Sequence, residues 1–198
     1  PGLQDHKRLL ANDMGPNTGG MGAYLPVELG YDTDQKVSAD PDSAARLVLR
    51  AAREVFAPTL RALGARGRPF TGLLYAGLML TESGPRVVEF NCRFGDPETQ
   101  VLLPRMPFRV GTLLHACATG RLAFEAGHAG FDQGAAVTVV LASEGYPGSY
   151  PTGLPISGVE AAEALDGVTV FHAGTARDAE GRLVTAGGRV LSVTGTGA

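Results

Sequence analysis

Cysteine is scarce in this sequence. Cys92 and Cys117 are the only two, and their spacing fits no zinc-binding pattern. Two thiols also provide no framework of disulfides, so we expect the chain to work in a reducing cytosol.

Long apolar runs and an excess of one charge are missing as well. No apolar stretch reaches the roughly 18 residues that a membrane-spanning helix needs. The net charge of −3 and a pI near 5.8 argue against electrostatic binding to nucleic acid or to a membrane surface. The hydrophobic share of 44% is enough to bury a core.

Residues 87–100, which read VVEFNCRFGDPETQ, place polar side chains at the end of a predicted strand. Strand side chains alternate between faces, so Glu89 and Asn91 share one face and Val88 and Phe90 the other. Their separation of roughly 6.6 Å lets a carboxylate and an amide oxygen bind one hard cation such as Mg²⁺, or two adjacent ones. A solvated edge strand with a polar turn is the alternative.

Residues 15–24, which read GPNTGGMGAY, are rich in glycine. They are not a Walker A loop, because no GK[ST] follows. Glycines let backbone N–H groups approach a ligand closely, which suits a phosphate or carboxylate site. An ordinary connector is the alternative. Because ordering glycines costs much conformational entropy, we expect bound substrate, rather than the loop's own packing, to order this loop.

The segment between these two motifs predicts a helix and a hairpin. A helix is predicted over residues 40–64, with Asp42 among the N-cap candidates, a kink or a division in two at Pro58, and a C-cap at Gly64. A hairpin is predicted over residues 71–91, and its first strand is so apolar that we expect cover on both faces.

Asp96 is predicted to cap a helix that starts at Pro97, the favoured N1 position, and a second helical segment follows Pro107. Arg93 and the N-terminus of the first of these helices together offer an anion-binding site. Asp96 acting only as a cap is the alternative.

The pattern changes near residues 125–133. Beyond this point, short β-prone runs alternate with glycine-rich turns, which predicts a small β-rich domain. The predicted strands cover residues 137–141, 168–172, 183–184 and 189–193.

Taken together, these motifs resemble those of one enzyme family. RFGDPETQ at residues 93–100 resembles the signature of phosphoribosylamine–glycine ligase, also called glycinamide ribonucleotide synthetase, an ATP-grasp enzyme. The other motifs that match in order and spacing are QDHKR (4–8), GPNTGGMGAY (15–24), LYAGLM (74–79), EFNCRFGDPETQ (89–100), GYPG (145–148), FHAGT (171–175) and GGRVL (187–191).

The resemblance implies an α+β fold. Residues 1–124 would be the C-terminal part of an ATP-grasp domain, and residues 125–198 a small, truncated β-rich domain. In the family QDHKR lies well inside the protein, so we expect a fragment that lacks the N-terminal domain and the mobile ATP lid. Many ATP-grasp enzymes carry a further acidic metal ligand where this chain has Gly77.

The resemblance also implies a reaction of de novo purine biosynthesis. Glycine's carboxylate attacks the γ-phosphate of ATP to give glycyl phosphate and ADP. The amine of 5-phosphoribosylamine then displaces phosphate and gives glycinamide ribonucleotide. In this interpretation Glu89 and Asn91 bind Mg²⁺ or Mn²⁺ beside ATP. Arg93 contacts the transferring phosphoryl group or the glycine carboxylate, and Asp96 steers glycine or its ammonium.

The glycine-rich loop is implied to face 5-phosphoribosylamine and glycine. The residues implied to bind substrate are Asn17, Thr18, Gly19, Gly20 and Arg93. One of Asp5, Lys7 and Arg8 is also expected at the substrate cleft, without an individual role.

Two other interpretations stay open. Without a lid to cover ATP and exclude water, the chain is expected to fold but to be inactive alone, as a remnant or as a module that needs a partner chain. A different ATP-grasp ligase, such as a purine-pathway carboxylating enzyme, is disfavoured by RFGDPE and GPNTGGMG.

Overall fold

The computed structural model describes residues 2–32, 34–39, 42–106, 109–122 and 134–198. They form two compact units. The first unit contains Pro26–Gly95 and the described residues of Pro107–Gly130. The second contains Leu3–Leu25, Asp96–Met106 and the described residues of Phe131–Ala198. The predicted domain boundary at residues 125–133 lies outside the described residues.

The elements below are numbered in chain order. The described strands are β1 (Gln4–Asp5), β2 (Arg8–Leu10), β3 (Met14–Asn17), β4 (Gly22–Leu25), β5 (Gly30–Tyr31), β6 (Val37–Ser38), β7 (Tyr75–Thr81), β8 (Gly84–Asn91), β9 (Ala135–Ala142), β10 (Val168–His172), β11 (Thr175–Arg177), β12 (Leu183–Thr185) and β13 (Arg189–Gly197). The described helices are α1 (Ser43–Ala51), α2 (Ala57–Ala65), α3 (Glu98–Leu102), α4 (Val110–Ala118) and α5 (Val159–Glu163). None of them is long and apolar enough to cross a membrane.

The second unit is organised by a five-stranded sheet in the order β1-β4-β9-β13-β10. All its strand pairs are antiparallel. Val139 of β9 pairs with Gly22 of β4 on one side and with Val193 of β13 on the other. Strands from both ends of the chain therefore share one sheet.

One face of this sheet packs against α3. Val101 of α3 is fully buried against Ala23, Leu25 and Ala136. Along β9 buried and exposed residues alternate, as expected for a strand with one covered face. The predicted strands of this region are found, because alternation and turn residues are local signals.

The first unit contains the predicted helix, and its α-helical hydrogen-bond pattern is interrupted just before Pro58 while the backbone stays helical. A π-helical stretch, Ala52–Phe56, separates α1 from α2, and Pro58 lies in the first turn of α2. The predicted C-cap at Gly64 is wrong. The residue with a left-handed backbone is Gly67, at φ +71°, and its N–H donates to the carbonyl of Gly64.

The hairpin of β7 and β8 is confirmed, but the expected cover on both faces is wrong. No residue of β7 is fully buried, and Val88 of β8 is 65% exposed. The reason is that β7 and β8 form a two-stranded sheet of their own among the described residues, with no further strand beside either.

The predicted cap at Asp96 is also wrong. The helix α3 begins at Glu98, Pro97 holds the cap position, and no side chain caps it. The Asp96 carboxylate instead accepts hydrogen bonds from Gln100 and Arg189, both in the second unit. The second helical segment after Pro107 is confirmed as α4.

Candidate functional site

Glu89 and Asn91 end β8 in the first unit. Regular pairing of Gly77 with Glu89 and of Tyr75 with Asn91 places both side chains on one face of the strand. The Glu89 carboxylate is exposed, whereas Asn91 is half-buried and its Nδ2 has no hydrogen-bond partner among the described residues. Both side chains carry an oxygen that can bind a cation, and they extend from the same face of β8.

The side chain of Glu89 lies against Gly77 on the neighbouring strand. A Cβ added at Gly77 would lie 3.2 Å from Glu89 Cγ and 3.8 Å from Glu89 Oε1. The pairing register shifts after Gly77, next to Leu78, so the bulge does not disturb the Glu89 and Asn91 pair. The oxygen donors of Glu89 and Asn91 therefore suit a hard cation.

Further ligands for such a cation would come from elsewhere. Within the described ranges, no group of three or more histidine, cysteine, aspartate or glutamate side chains is placed to hold a metal. A site of one carboxylate and one amide suits an ion such as Mg²⁺, which keeps waters and substrate phosphates in its shell.

Arg93 follows β8 in the same unit and is exposed. Its Nη1 donates a 2.9 Å hydrogen bond to the carbonyl of Phe94, which fixes one edge of the guanidinium. A guanidinium carries five N–H donors, so this bond leaves the group able to bind an anion. The predicted anion site shared with the N-terminus of α3 joins residues of two units and stays a prediction.

The glycine-rich segment, residues 15–24, lies in the second unit and forms most of β3, most of β4 and the loop that joins them at residues 18–21. The loop is held by its own contacts. The N–H groups of Thr18 and Met21 donate to the carbonyls of Lys7 and His6, at 2.7 and 2.8 Å. The N–H of Gly20 donates to Thr18 Oγ1 at 3.0 Å. The backbone N–H groups of this loop are thus paired within the protein, and the ordering of the loop by substrate stays a prediction.

Gly19 is held from two sides. Its N–H donates to Tyr146 Oη at 3.1 Å, and its carbonyl accepts from Arg189 Nη1 at 3.0 Å. Arg189 Nη1 also donates to the carbonyl of Asp96 at 3.0 Å, and Nη2 donates to Asp96 Oδ2 at 3.0 Å. Arg189 thus joins the loop to Asp96.

Asp5 lies behind this loop as a buried carboxylate. Its side chain is 9% exposed and pairs with Lys7, while Glu98 at the start of α3 is also buried. Burial raises the pKa of the Asp5 carboxyl above its ordinary value near 3.8; the Lys7 ammonium opposes this rise and the charge of Glu98 adds to it.

The structure thus brings some predicted site residues together within each unit. Glu89, Asn91 and Arg93 lie in the first unit, whereas the loop and Asp96 lie in the second. Asn17 is exposed at the end of β3, where it pairs with Arg8.

Sequence reasoning did not single out Arg189 or Tyr146 in the second unit. Both belong to motifs that match the family, GGRVL and GYPG, and this was the one available signal. The contacts that make them important join residues far apart along the chain.

Two sequence models of a known family match the chain. The phosphoribosylglycinamide synthetase ATP-grasp (A) domain matches residues 1–99, and the phosphoribosylglycinamide synthetase C domain matches residues 136–198.

Individual proteins match along nearly all of the chain. It is 50% identical over 196 residues to the phosphoribosylamine–glycine ligase of Leifsonia xyli subsp. xyli, covering 98% of this chain and 44% of that protein. It is 48% identical over 194 residues to the trifunctional purine biosynthetic protein adenosine-3 of Gallus gallus, covering 98% of this chain and 18% of that protein.

A solved structure agrees with these sequences. The crystal structure of phosphoribosylamine–glycine ligase from Thermotoga maritima matches with a TM-score of 0.74 at 34% identity, over 98% of this chain and 43% of that one. The chain therefore spans less than half the length of each of these relatives. The predicted α+β fold is confirmed, and the chain belongs to the phosphoribosylglycinamide synthetase family.

Proposed function

We propose that this chain carries part of the machinery that joins glycine to 5-phosphoribosylamine at the expense of ATP. The products are glycinamide ribonucleotide, ADP and phosphate. The observation that carries the proposal is an identity near 50% across almost the whole chain to a protein that is named phosphoribosylamine–glycine ligase. The two free cysteines suit a cytosolic location.

The chemistry proceeds in two balanced steps. A carboxylate oxygen of glycine bonds to the γ-phosphorus of ATP, and the bond to the bridging oxygen of ADP breaks. The amine nitrogen of 5-phosphoribosylamine then attacks the acyl carbon of glycyl phosphate, loses a proton, and phosphate leaves. Both steps build negative charge on phosphate oxygens, so cationic groups near those oxygens accelerate them.

Glu89 and Asn91 are the residues that would hold Mg²⁺ or Mn²⁺. The oxygen donors on one face of β8 support this assignment. A bound divalent cation supplies positive charge to the phosphate oxygens of ATP.

Arg93 and Asp96 are proposed to contact the reactants. The planar guanidinium of Arg93 suits the transferring phosphoryl group or the glycine carboxylate. The Asp96 carboxylate steers glycine through its ammonium, and its bonds to Gln100 and Arg189 hold it in one rotamer for this task.

The loop residues Asn17, Thr18, Gly19 and Gly20 are proposed to face 5-phosphoribosylamine and glycine. The backbone N–H groups of Thr18, Gly19 and Gly20 are bonded within the protein. Substrate contact therefore depends on exposed groups such as the Asn17 side-chain amide, rather than on free N–H donors.

The test uses a chimera in which this chain replaces the matching 44% of the Leifsonia xyli ligase. We expect it to form glycinamide ribonucleotide and ADP in equal amounts, only when glycine, ATP and 5-phosphoribosylamine are all present. The chain alone, assayed beside it, is expected to fold and to form no product. A folded chimera without product would favour the alternative of a non-catalytic module.

A further inference from the structure

Arg189 is the first residue of β13, and its guanidinium lies mostly inside the second unit. The side chain is 23% exposed. Its backbone pairs with Ala142 of β9, directly before an irregularity in the register. Pairing with β9, the central strand of the sheet, therefore fixes the backbone of Arg189.

The guanidinium joins three segments that are distant in sequence. Nη1 donates to the carbonyls of Gly19 and Asp96, both at 3.0 Å, and more weakly to the carbonyl of Gly20 at 3.4 Å. Nη2 donates to the Asp96 carboxylate at 3.0 Å. Each of these four hydrogen bonds ends on a protein oxygen in the loop or in Asp96.

This arrangement requires an arginine. Nη1 lies among backbone carbonyls while Nη2 of the same planar group reaches a carboxylate, and one lysine ammonium cannot occupy both places. The absence of a side chain at Gly19 makes room for the guanidinium, because a Cβ added there would lie 3.0 Å from Arg189 Cζ. Gly188 likewise makes room for the Tyr146 ring, whose hydroxyl accepts from the N–H of Gly19.

We propose that Arg189 is a positioning residue that holds the Gly19–Gly20 turn and Asp96 in one fixed arrangement. It acts through these residues, because its hydrogen bonds go to them and it balances the charge of Asp96. Its importance for catalysis rests on the proposed function, in which the loop and Asp96 meet the substrates. The hydrogen-bonded arrangement of Arg189, the turn and Asp96 does not depend on the proposed function.

The first test measures amide hydrogen exchange in the full chain by NMR. Arg189→Met removes the charged donor that holds the Gly19 and Gly20 carbonyls, so the turn opens more often. Amide exchange at Gly19 and Gly20 is therefore expected to rise about tenfold or more. Exchange at Val139 and Val193 in the sheet should change less than about twofold. The matched control is Arg182→Met, which removes a 68% exposed arginine that pairs with Asp178 and Glu180 in the same unit.

Arg189→Lys keeps the charge and serves as the second variant. A single ammonium cannot replace the two donating nitrogens of the guanidinium. Arg189→Lys is therefore expected to restore less than half of the protection that Gly19 and Gly20 lose in Arg189→Met. Unchanged exchange at both glycines in Arg189→Lys, with the sheet intact, would overturn the proposal, even if Arg189→Met fails to fold.

The second test places Arg189→Lys in the chimera with the Leifsonia xyli ligase. Misplaced reacting groups lower kcat, so a fall of about tenfold to hundredfold is expected while the Mg²⁺ dependence stays unchanged. A raised KM for one substrate with normal kcat and normal exchange would mean direct anion binding, and it would contradict the positioning role. If the unsubstituted chimera forms no product, the proposed function fails, while the exchange result still decides the role of Arg189.

Discussion

At the scale of single residues, two carboxylates that both lie in family motifs, Glu89 and Asp5, differ in their exposure to solvent. Glu89 is exposed beside a half-buried Asn91, whereas Asp5 is buried beside Lys7 and Glu98. Desolvation disfavours a charged carboxylate, and a nearby cation favours it. Substitutions at these positions should therefore affect different measured quantities.

Replacing Glu89 by Gln, or Asn91 by Leu, is expected to weaken metal use without unfolding the chain. Losing one electrostatic contact to a transition state typically costs on the order of 3 kcal/mol, about a hundredfold in rate. We expect such a loss of kcat in the chimera across a Mg²⁺ titration. The melting temperature should hardly change, because Glu89 is exposed.

Two outcomes would contradict a metal site at this pair. Normal rates at ordinary Mg²⁺ in both variants would show that neither side chain binds the ion. A loss of rate matched by a large fall in melting temperature would mean that the two residues hold β8 in place.

Replacing Asp5 by Asn is expected to change how stability depends on pH. The raised pKa of Asp5 contributes stability that is fully present below the ordinary value near 3.8, and this contribution is lost as pH rises through the folded-state pKa. The free energy of unfolding of Asp5→Asn, relative to the unsubstituted chain, should therefore rise from acidic to neutral pH. Urea titrations at several pH values measure this difference, and a flat or falling difference would refute the expectation.

Gly20 occupies a position that a side chain cannot share. Its φ is +116°, and an added Cβ would overlap Pro97 Cδ and lie 3.0 Å from Asp5 Oδ1. Gly20→Ala is expected to lower the free energy of unfolding by about 1–3 kcal/mol. The control is Gly195→Ala in β13, where no atom lies within 4 Å of an added Cβ and the change should stay within about 0.5 kcal/mol. Equal urea midpoints for the two variants would contradict this.

At the scale of elements, the two faces of β9 have different surroundings. Its inward residues pack below α3, whereas the outward Val139 is 56% exposed. Elements that look equally apolar in sequence therefore contribute unequally to stability, depending on which neighbour covers them.

The helix α3 attaches to the sheet mainly through Val101. This side chain is fully buried against Ala23, Leu25 and Ala136, so Val101→Ala is expected to cost about 2 kcal/mol in unfolding free energy from lost burial and an added cavity. Val139→Ala, at an exposed valine of the same sheet, should cost less than about 1 kcal/mol. Chemical denaturation of both variants checks the ratio, and a larger cost at Val139 would refute it.

At the scale of the whole molecule, local signals were predictable and long-range partners were not. The strand β10 matches its predicted bounds because alternation is a property of neighbouring residues. Glu89 and Asn91 share a face for the same reason. Asp96 carried a local cap signal, yet it binds Arg189, which is 93 positions away. No propensity encodes such a contact.

The assembly of the sheet was likewise beyond local reasoning. The strand β4 lies mostly within the segment that was predicted to be a glycine-rich loop, yet it pairs with β1 on one side and with β9 on the other. Only tertiary packing decides which distant strands meet. The covering of β7 was overestimated because an apolar run does not reveal whether a neighbouring strand is present.

The pairing of β4 with β9 has a kinetic consequence. Most of the first unit lies between these strands along the chain, so their contact closes a very long loop, and β13 must join before β10 finds its partner. Contacts between distant residues slow folding because loop-closure entropy is lost before they form. During synthesis, β4 can pair with β1 but lacks its other neighbour until the ribosome has released β9. In pulse-labelled refolding we expect protection in the β7 and β8 hairpin before protection at Gly22–Leu25, and the reverse order would show that the sheet nucleates first.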